Sequence, residues 1–184
     1  MSKENLEKED IGEEYQKLLT TQDYSKKETI DGIKIVELKQ FSDDSGSFNE
    51  VARLDGGLLK DFPDFELKQV SYSLMEPGSI KAFHLHLNQE DIWFIPPGDK
   101  LVIGLVDLRS GSKTYKVEQK VILGAGEASL LYIPRGVAHG AGNLTNKNAQ
   151  IFYFVSEQFN PEDPDEKRLP WDFFGKEFWE REKG

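Results

Sequence analysis

The chain has no cysteine. Disulfides and thiolate metal sites are therefore excluded, and the absence fits a reducing compartment without requiring one. No apolar run approaches the length of a membrane span. The opening Met1-Ser-Lys-Glu-Asn-Leu-Glu-Lys-Glu-Asp has no apolar centre, so no secretory signal is expected and a cytoplasmic location is. Positive charge is also in short supply. The 23 Lys and Arg against 33 Asp and Glu leave a net charge of −10, which argues against a nucleic-acid partner because phosphate binding needs a basic face. An anionic small ligand would need a local cluster of Lys or Arg working against the global field.

What remains, at 184 residues, is enough for one domain with a core. Residues 1–28 are rich in Glu and Lys, with Leu6, Ile11, Tyr15, Leu18 and Leu19 at roughly helical spacing. That pattern predicts an N-terminal arm with a surface helix over Asn5–Thr20. Residues 29–184 form the predicted domain. From Ile33 to Ser156 the pattern changes to short β-runs: 33–38, 48–54, 69–75, 80–87, 92–95, 100–108, 117–122, 128–133, 137–143 and 151–156. Turn residues separate them, among them Asp55-Gly-Gly, Glu76-Pro-Gly, Pro96-Pro-Gly-Asp and Pro134-Arg-Gly. Apolar residues on both faces of 101–108 mark a central strand covered on two sides. Many short strands at this spacing predict an all-β sandwich or barrel. After a polar, Pro-rich stretch, a tail of Trp171, Phe173, Phe174, Phe178 and Trp179 must dock on something, as a structural lid or a subunit contact.

Histidine is scarcer still, and its three copies are not scattered. His84 and His86 lie in one predicted strand and share a face, because alternate strand residues point the same way. Glu90 follows one short bend later, and His139 lies in Pro134-Arg-Gly136-Val-Ala-His139-Gly-Ala-Gly-Asn143. A cluster of this kind has two chemistries. An imidazole can move a proton, with an unperturbed pKa near 6.5. Alternatively His84, His86, Glu90 and His139 form a nitrogen/oxygen set for a divalent Fe, Mn, Ni, Co or Zn ion. A histidine bonded to metal through its inward nitrogen cannot also abstract a proton. Glu90 in Asn-Gln-Glu-Asp also reads as a solvated bend, and Tyr153 in Ile-Phe-Tyr-Phe-Val as an ordinary core aromatic.

The two histidine segments resemble the paired motifs of the cupin superfamily. The second, Pro-x-Gly-x-x-His with Asn four residues on, is matched in full by Pro134, Gly136, His139 and Asn143; the first is matched through Glu90, with Gly98 one place late. The resemblance implies a jelly-roll barrel or sandwich, here with an N-terminal helix and a short helical tail. Residues 33–180 more closely resemble the dTDP-4-dehydrorhamnose 3,5-epimerase family. The landmarks are Asp44-Ser-Gly46-Ser-Phe48-Asn-Glu50, Gln69-Val-Ser-Tyr-Ser73, Lys81-Ala-Phe-His84, Val106-Asp107-Leu108-Arg109-Ser-Gly-Ser112, Ile133-Pro134-Arg-Gly136-Val-Ala138-His139-Gly140, Tyr153 and Trp171-Asp172. Ser45 and Lys81 stand where that family has arginines for the diphosphate. Asp91 falls near its active-site lysine, and His86 replaces a usual glutamine.

This likeness implies an epimerase or isomerase of a keto-sugar, with nucleotide linkage expected, that needs no cofactor and works as a homodimer through β-sheet exchange. It casts His84 as base, Tyr153 as acid and Asp172 as the carboxylate that orients His84. Lys81 and His139 stabilise negative charge, while Phe48, Glu50, Gln69 and His86 contact the substrate. The rivals are a metal-dependent oxygenase or metalloisomerase, and a sugar-binding cupin without turnover.

Overall fold

The structure is a computed structural model that describes residues 5–22, 24–25 and 28–181. Its strands are β1 (Lys34–Glu37), β2 (Gln40–Asp43), β3 (Gly46–Asn49), β4 (Leu54–Asp55), β5 (Leu58–Leu59), β6 (Phe62–Glu66), β7 (Gln69–Met75), β8 (Ile80–Leu85), β9 (Asp91–Phe94), β10 (Lys100–Asp107), β11 (Glu118–Gly124), β12 (Ser129–Ile133), β13 (Val137–Gly142), β14 (Ala149–Val155) and β15 (Lys167–Arg168). Two five-stranded sheets carry the fold, in the orders β1-β12-β9-β14-β7 and β11-β10-β13-β8-β15. The pairings nest: β7 with β14, β8 with β13, β9 with β12, β10 with β11, all antiparallel. One long hairpin folded over on itself in this way is a jelly roll.

Alternation along the strands builds the core. Met75, Trp93, Leu131 and Ile151 of one sheet meet Leu101, Ile103, Leu105 and Val137 of the other in a single buried cluster. The outer face of the first sheet is covered too, since Ile92, Phe94, Leu130 and Phe154 pack on Leu59, Phe62 and Phe65 of the β4–β6 ribbon. The second sheet is covered by the aromatic tail, which docks on its own chain. Phe178 and Trp179 are buried with Phe83, Val106 and Ala138. Gly104 makes this close approach feasible, because a Cβ there would lie 2.4 Å from the Phe178 ring and 2.8 Å from that of Trp179. β10 is therefore covered on both faces, as its sequence predicts.

The N-terminal helix is far shorter than the predicted span. Among the described residues of the arm, only Glu13–Gln16 (α1) is α-helical, after a 3-10 turn at Lys8–Asp10. Leu6 (79 %) and Leu18 (75 %) are exposed, so the apolar stripe has nothing to pack on, and a lone helix of that length is marginal in water. Residues 1–4, 23, 26 and 27 of the predicted arm lie outside the described residues.

Candidate active site

The fold brings all three histidines together. β8 lies beside β13 in a register that pairs His84 with His139. The His84 and His139 rings are 6.0 Å apart, centroid to centroid, and those of His86 and His139 are 5.3 Å apart. His139 and His86 are buried. His139 donates its Nδ1 proton to the Val137 carbonyl at 2.9 Å, which leaves Nε2 as the bare nitrogen. His86 makes the same kind of bond from Nδ1 to the Asp165 carbonyl. Among the described residues, neither His84 Nε2 nor His139 Nε2 has a hydrogen-bond partner, although both are shielded from solvent. Burial, and after it the neighbouring His139, pushes the His84 imidazole down to about 4, so it is neutral at pH 7. Burial likewise lowers His139, against the opposing pull of Asp91.

The carboxylate at the cluster is Asp91, at the start of β9. Its Oδ2 lies 3.6 Å from His139 Nε2 and 4.0 Å from His86 Nε2. Gln89 donates to Oδ1 at 2.7 Å and the Trp93 indole to Oδ2 at 3.0 Å. One assignment is thereby corrected. Glu90 is not a ligand in this cluster. It pairs with Arg135 at 3.1 Å and hydrogen-bonds Tyr132, which packs with the outer-face cluster, because successive strand residues face opposite ways and Asp91 takes the inward position. Asp172 is half-buried in the tail that docks on the outside of the second sheet. Among the described residues no hydrogen bond joins it to a histidine. The fields of Asp91 and Glu166 reach His139, and that of Glu166 reaches His84.

Tyr153 hangs from β14 in the opposite sheet, its ring at right angles to Trp93 with centroids 5.2 Å apart. Burial raises its hydroxyl, partly offset by a hydrogen bond from Ser73. Lys81 Nζ donates to the Ser73 hydroxyl at 2.7 Å, so lysine, serine and tyrosine form one chain. Gln69, Ser73, Lys81, His84, His86 and Tyr153 share the wall of one open cavity of about 1190 Å³, room beyond a monosaccharide. Asp91, Trp93, Glu166 and Arg168 also line it. Phe48 and Glu50 do not reach this cavity. Phe48 is 65 % exposed on the β2–β3 hairpin, and Glu50 pairs with Arg53 at 2.6 Å.

A neutral imidazole on one wall and a tyrosine on the facing wall can remove a proton from one side of a ring and return it from the other. The jelly roll with histidines inside is that of a cupin. Crystal structures share it: a dTDP sugar isomerase from Desulfovibrio desulfuricans G20 superposes with a TM-score of 0.68 at 23 % identity, over 78 % of this chain and 87 % of that one. A dTDP-4-dehydrorhamnose 3,5-epimerase from Bacillus anthracis str. Ames, with TDP and PPi bound, gives 0.65 at 25 % identity over 77 % and 80 %. In sequence, the spore coat polysaccharide biosynthesis protein SpsL of Bacillus subtilis (strain 168) is 46 % identical over 143 residues, 78 % of this chain and 91 % of SpsL. The model of the dTDP-4-dehydrorhamnose 3,5-epimerase family matches residues 27–173, and the chain belongs to that family. No helix among the described residues is long and apolar enough to cross a membrane.

Proposed function

We propose that the protein epimerises a dTDP-linked 4-keto-6-deoxy sugar at a carbon next to the ketone. The observation that carries this reading is the placement of His84 and Tyr153 on opposing sheets across one cavity, in a chain of an epimerase family. The hydrogen beside a ketone is acidic because its electron pair delocalises onto oxygen. His84, neutral and shielded from solvent, takes that proton through Nε2. The C–H pair moves into the enolate, and the Tyr153 hydroxyl then protonates the same carbon from the other face. Configuration inverts, and no electrons leave the substrate, so the chemistry needs no redox cofactor. Lys81 acts through Ser73 on the tyrosine end, favouring the phenolate that remains. Gln69, on the same cavity wall, contacts the substrate.

The homodimer expected for this family has surface available. Val70, Tyr72 and Leu74 of the edge strand β7 are exposed, as are Phe41 and Phe48 of the hairpin. In this reading the hairpin carries Phe48 and Glu50 toward a second copy, and the protein works in the cytoplasm.

The test is to incubate the protein with a dTDP-4-keto-6-deoxy sugar in D₂O and follow mass and configuration. One or two deuterons carbon-bound beside the ketone, with inversion, is the expected result. Binding without exchange would leave a sugar-binding protein and overturn the proposal.

A further inference from the structure

Beside Asp91 one buried nitrogen, His139 Nε2, has no hydrogen-bond partner among the described residues. His86 and His139 each commit the Nδ1 proton to a backbone carbonyl, of Asp165 and Val137 respectively. In the tautomer that donates from Nδ1, Nε2 presents a lone pair. Both Nε2 atoms face the carboxylate oxygen of Asp91. Three electron-rich atoms therefore converge in a buried place. At 3.6 and 4.0 Å the two nitrogens are too far from that oxygen to share a proton with it. Gln89 donates to Asp91 Oδ1 and lies 3.4 Å from His86 Nε2, and the Trp93 indole donates to Oδ2, so the carboxylate is held in place while His139 Nε2 stays unpartnered among the described residues.

A cation resolves this arrangement. We propose that His86, Asp91 and His139 bind a divalent transition-metal ion. The candidate ligand atoms of these three buried residues lie within 4.8 Å of one another. For metal–ligand bonds of about 2.0–2.2 Å in tetrahedral geometry, neighbouring ligand atoms are about 3.4 Å apart. The 3.6 Å pair is already near that spacing, and the 4.0 Å pair needs an inward shift of only about half an ångström. Two imidazoles and a carboxylate suit Zn, Fe, Co, Ni or Mn rather than Mg or Ca. The outer partners are those of a metal site: each histidine is anchored through its other nitrogen, and the carboxylate is hydrogen-bonded. Three protein ligands leave positions open.

This set differs from the one that motif spacing implies. Asp91 replaces Glu90, and His84 stays outside the group, which removes the conflict between metal ligand and base. An ion held by these residues would supply positive charge near the cavity wall, in a chain whose family lysine position falls near Asp91.

The test needs no sugar. Full-length protein stripped with a chelator is titrated with CoCl₂ and read by its visible d–d absorption and by its thermal unfolding midpoint. One Co²⁺ per chain with bands of a nitrogen-containing, four- or five-coordinate site is expected, with a raised midpoint. Asp91→Asn and His86→Gln each weaken uptake by about 100-fold, whereas Glu90→Gln leaves it unchanged. If one variant fails to fold, the other and the wild-type spectrum still decide. No uptake by the wild type at millimolar Co²⁺, an all-oxygen spectrum, or undiminished uptake by both folded variants would overturn the proposal.

Discussion

Replacing Asp107 with Asn tests whether the site rests on the turn that follows β10. Asp107 has no exposed surface and accepts five hydrogen bonds. Arg109 gives its backbone N–H at 3.0 Å and its Nε at 2.8 Å to Oδ1; Arg109 Nη2 at 2.8 Å, Ser112 at 2.6 Å and Thr114 at 2.7 Å reach Oδ2. Asn keeps the shape but turns one oxygen into a donor. The two hydroxyls can rotate to accept; the guanidinium cannot. Breaking one partner of a buried ion pair costs about 3–5 kcal/mol, and because the Arg109 side chain is 28 % exposed we take the low end, about 3 kcal/mol. With a urea m-value of about 2 kcal/mol/M, the midpoint falls by about 1.5 M at pH 7. Burial alone would raise the Asp107 carboxyl, but the hydrogen bonds from Arg109, Ser112 and Thr114 outweigh it and hold the group well below the usual carboxylate range. A depressed carboxylate contributes stability above its unfolded pKa, near 3.9, and loses it as pH falls further. The gap between wild type and Asp107→Asn therefore narrows from pH 5 to pH 3. A midpoint shift below about 0.3 M, or a gap equally wide at pH 3 and pH 7, would refute the reasoning. The network matters to the site because Asp107 pairs with Val137, whose carbonyl holds His139.

Other perturbations separate the parts of the account. Tyr153→Phe keeps the ring against Trp93, so thermal unfolding stays unchanged while the yield of inverted product falls about 10²–10⁴-fold, read by NMR of the sugar. Gly104→Ala drives a methyl into Phe178 and Trp179. It lowers stability by about 1–3 kcal/mol in chemical denaturation and shifts the tryptophan emission as the tail loosens. Glu90→Gln leaves the epimerisation rate unchanged, because that side chain faces Arg135 on the outside.

The strands that carry the site were legible because their residues alternate between turn signals. β7 spans the predicted 69–75, and β8, β10 and β13 differ from expectation by one or two residues at an end. β2, β5 and β6 were not legible, being short and largely exposed, with Pro63 inside β6. β15 was hidden in a charged, Pro-rich stretch, since it joins the sheet by backbone bonds beside His84 and Leu85 and needs no apolar pattern. The histidines followed from spacing. Asp91 did not, because the bend at 87–90 resets the phase of alternation and β9 is buried on both faces, so apolar pattern could not say which of two acids turns inward. Trp93 and Asp91 share the inward phase, a signal available only once that face is known. The place of Asp172 was not legible either, because sequence does not reveal on which wall of the sandwich a tail will dock.

The central claim is that a neutral, shielded imidazole on β8 takes a proton from carbon. The most direct measurement is the rate at which solvent deuterium enters a dTDP-4-keto-6-deoxy sugar, compared between wild type and His84→Asn by mass spectrometry. The account predicts exchange by the wild type and a loss of at least about 10²-fold in a variant that still folds. Exchange by folded His84→Asn at the wild-type rate would contradict it.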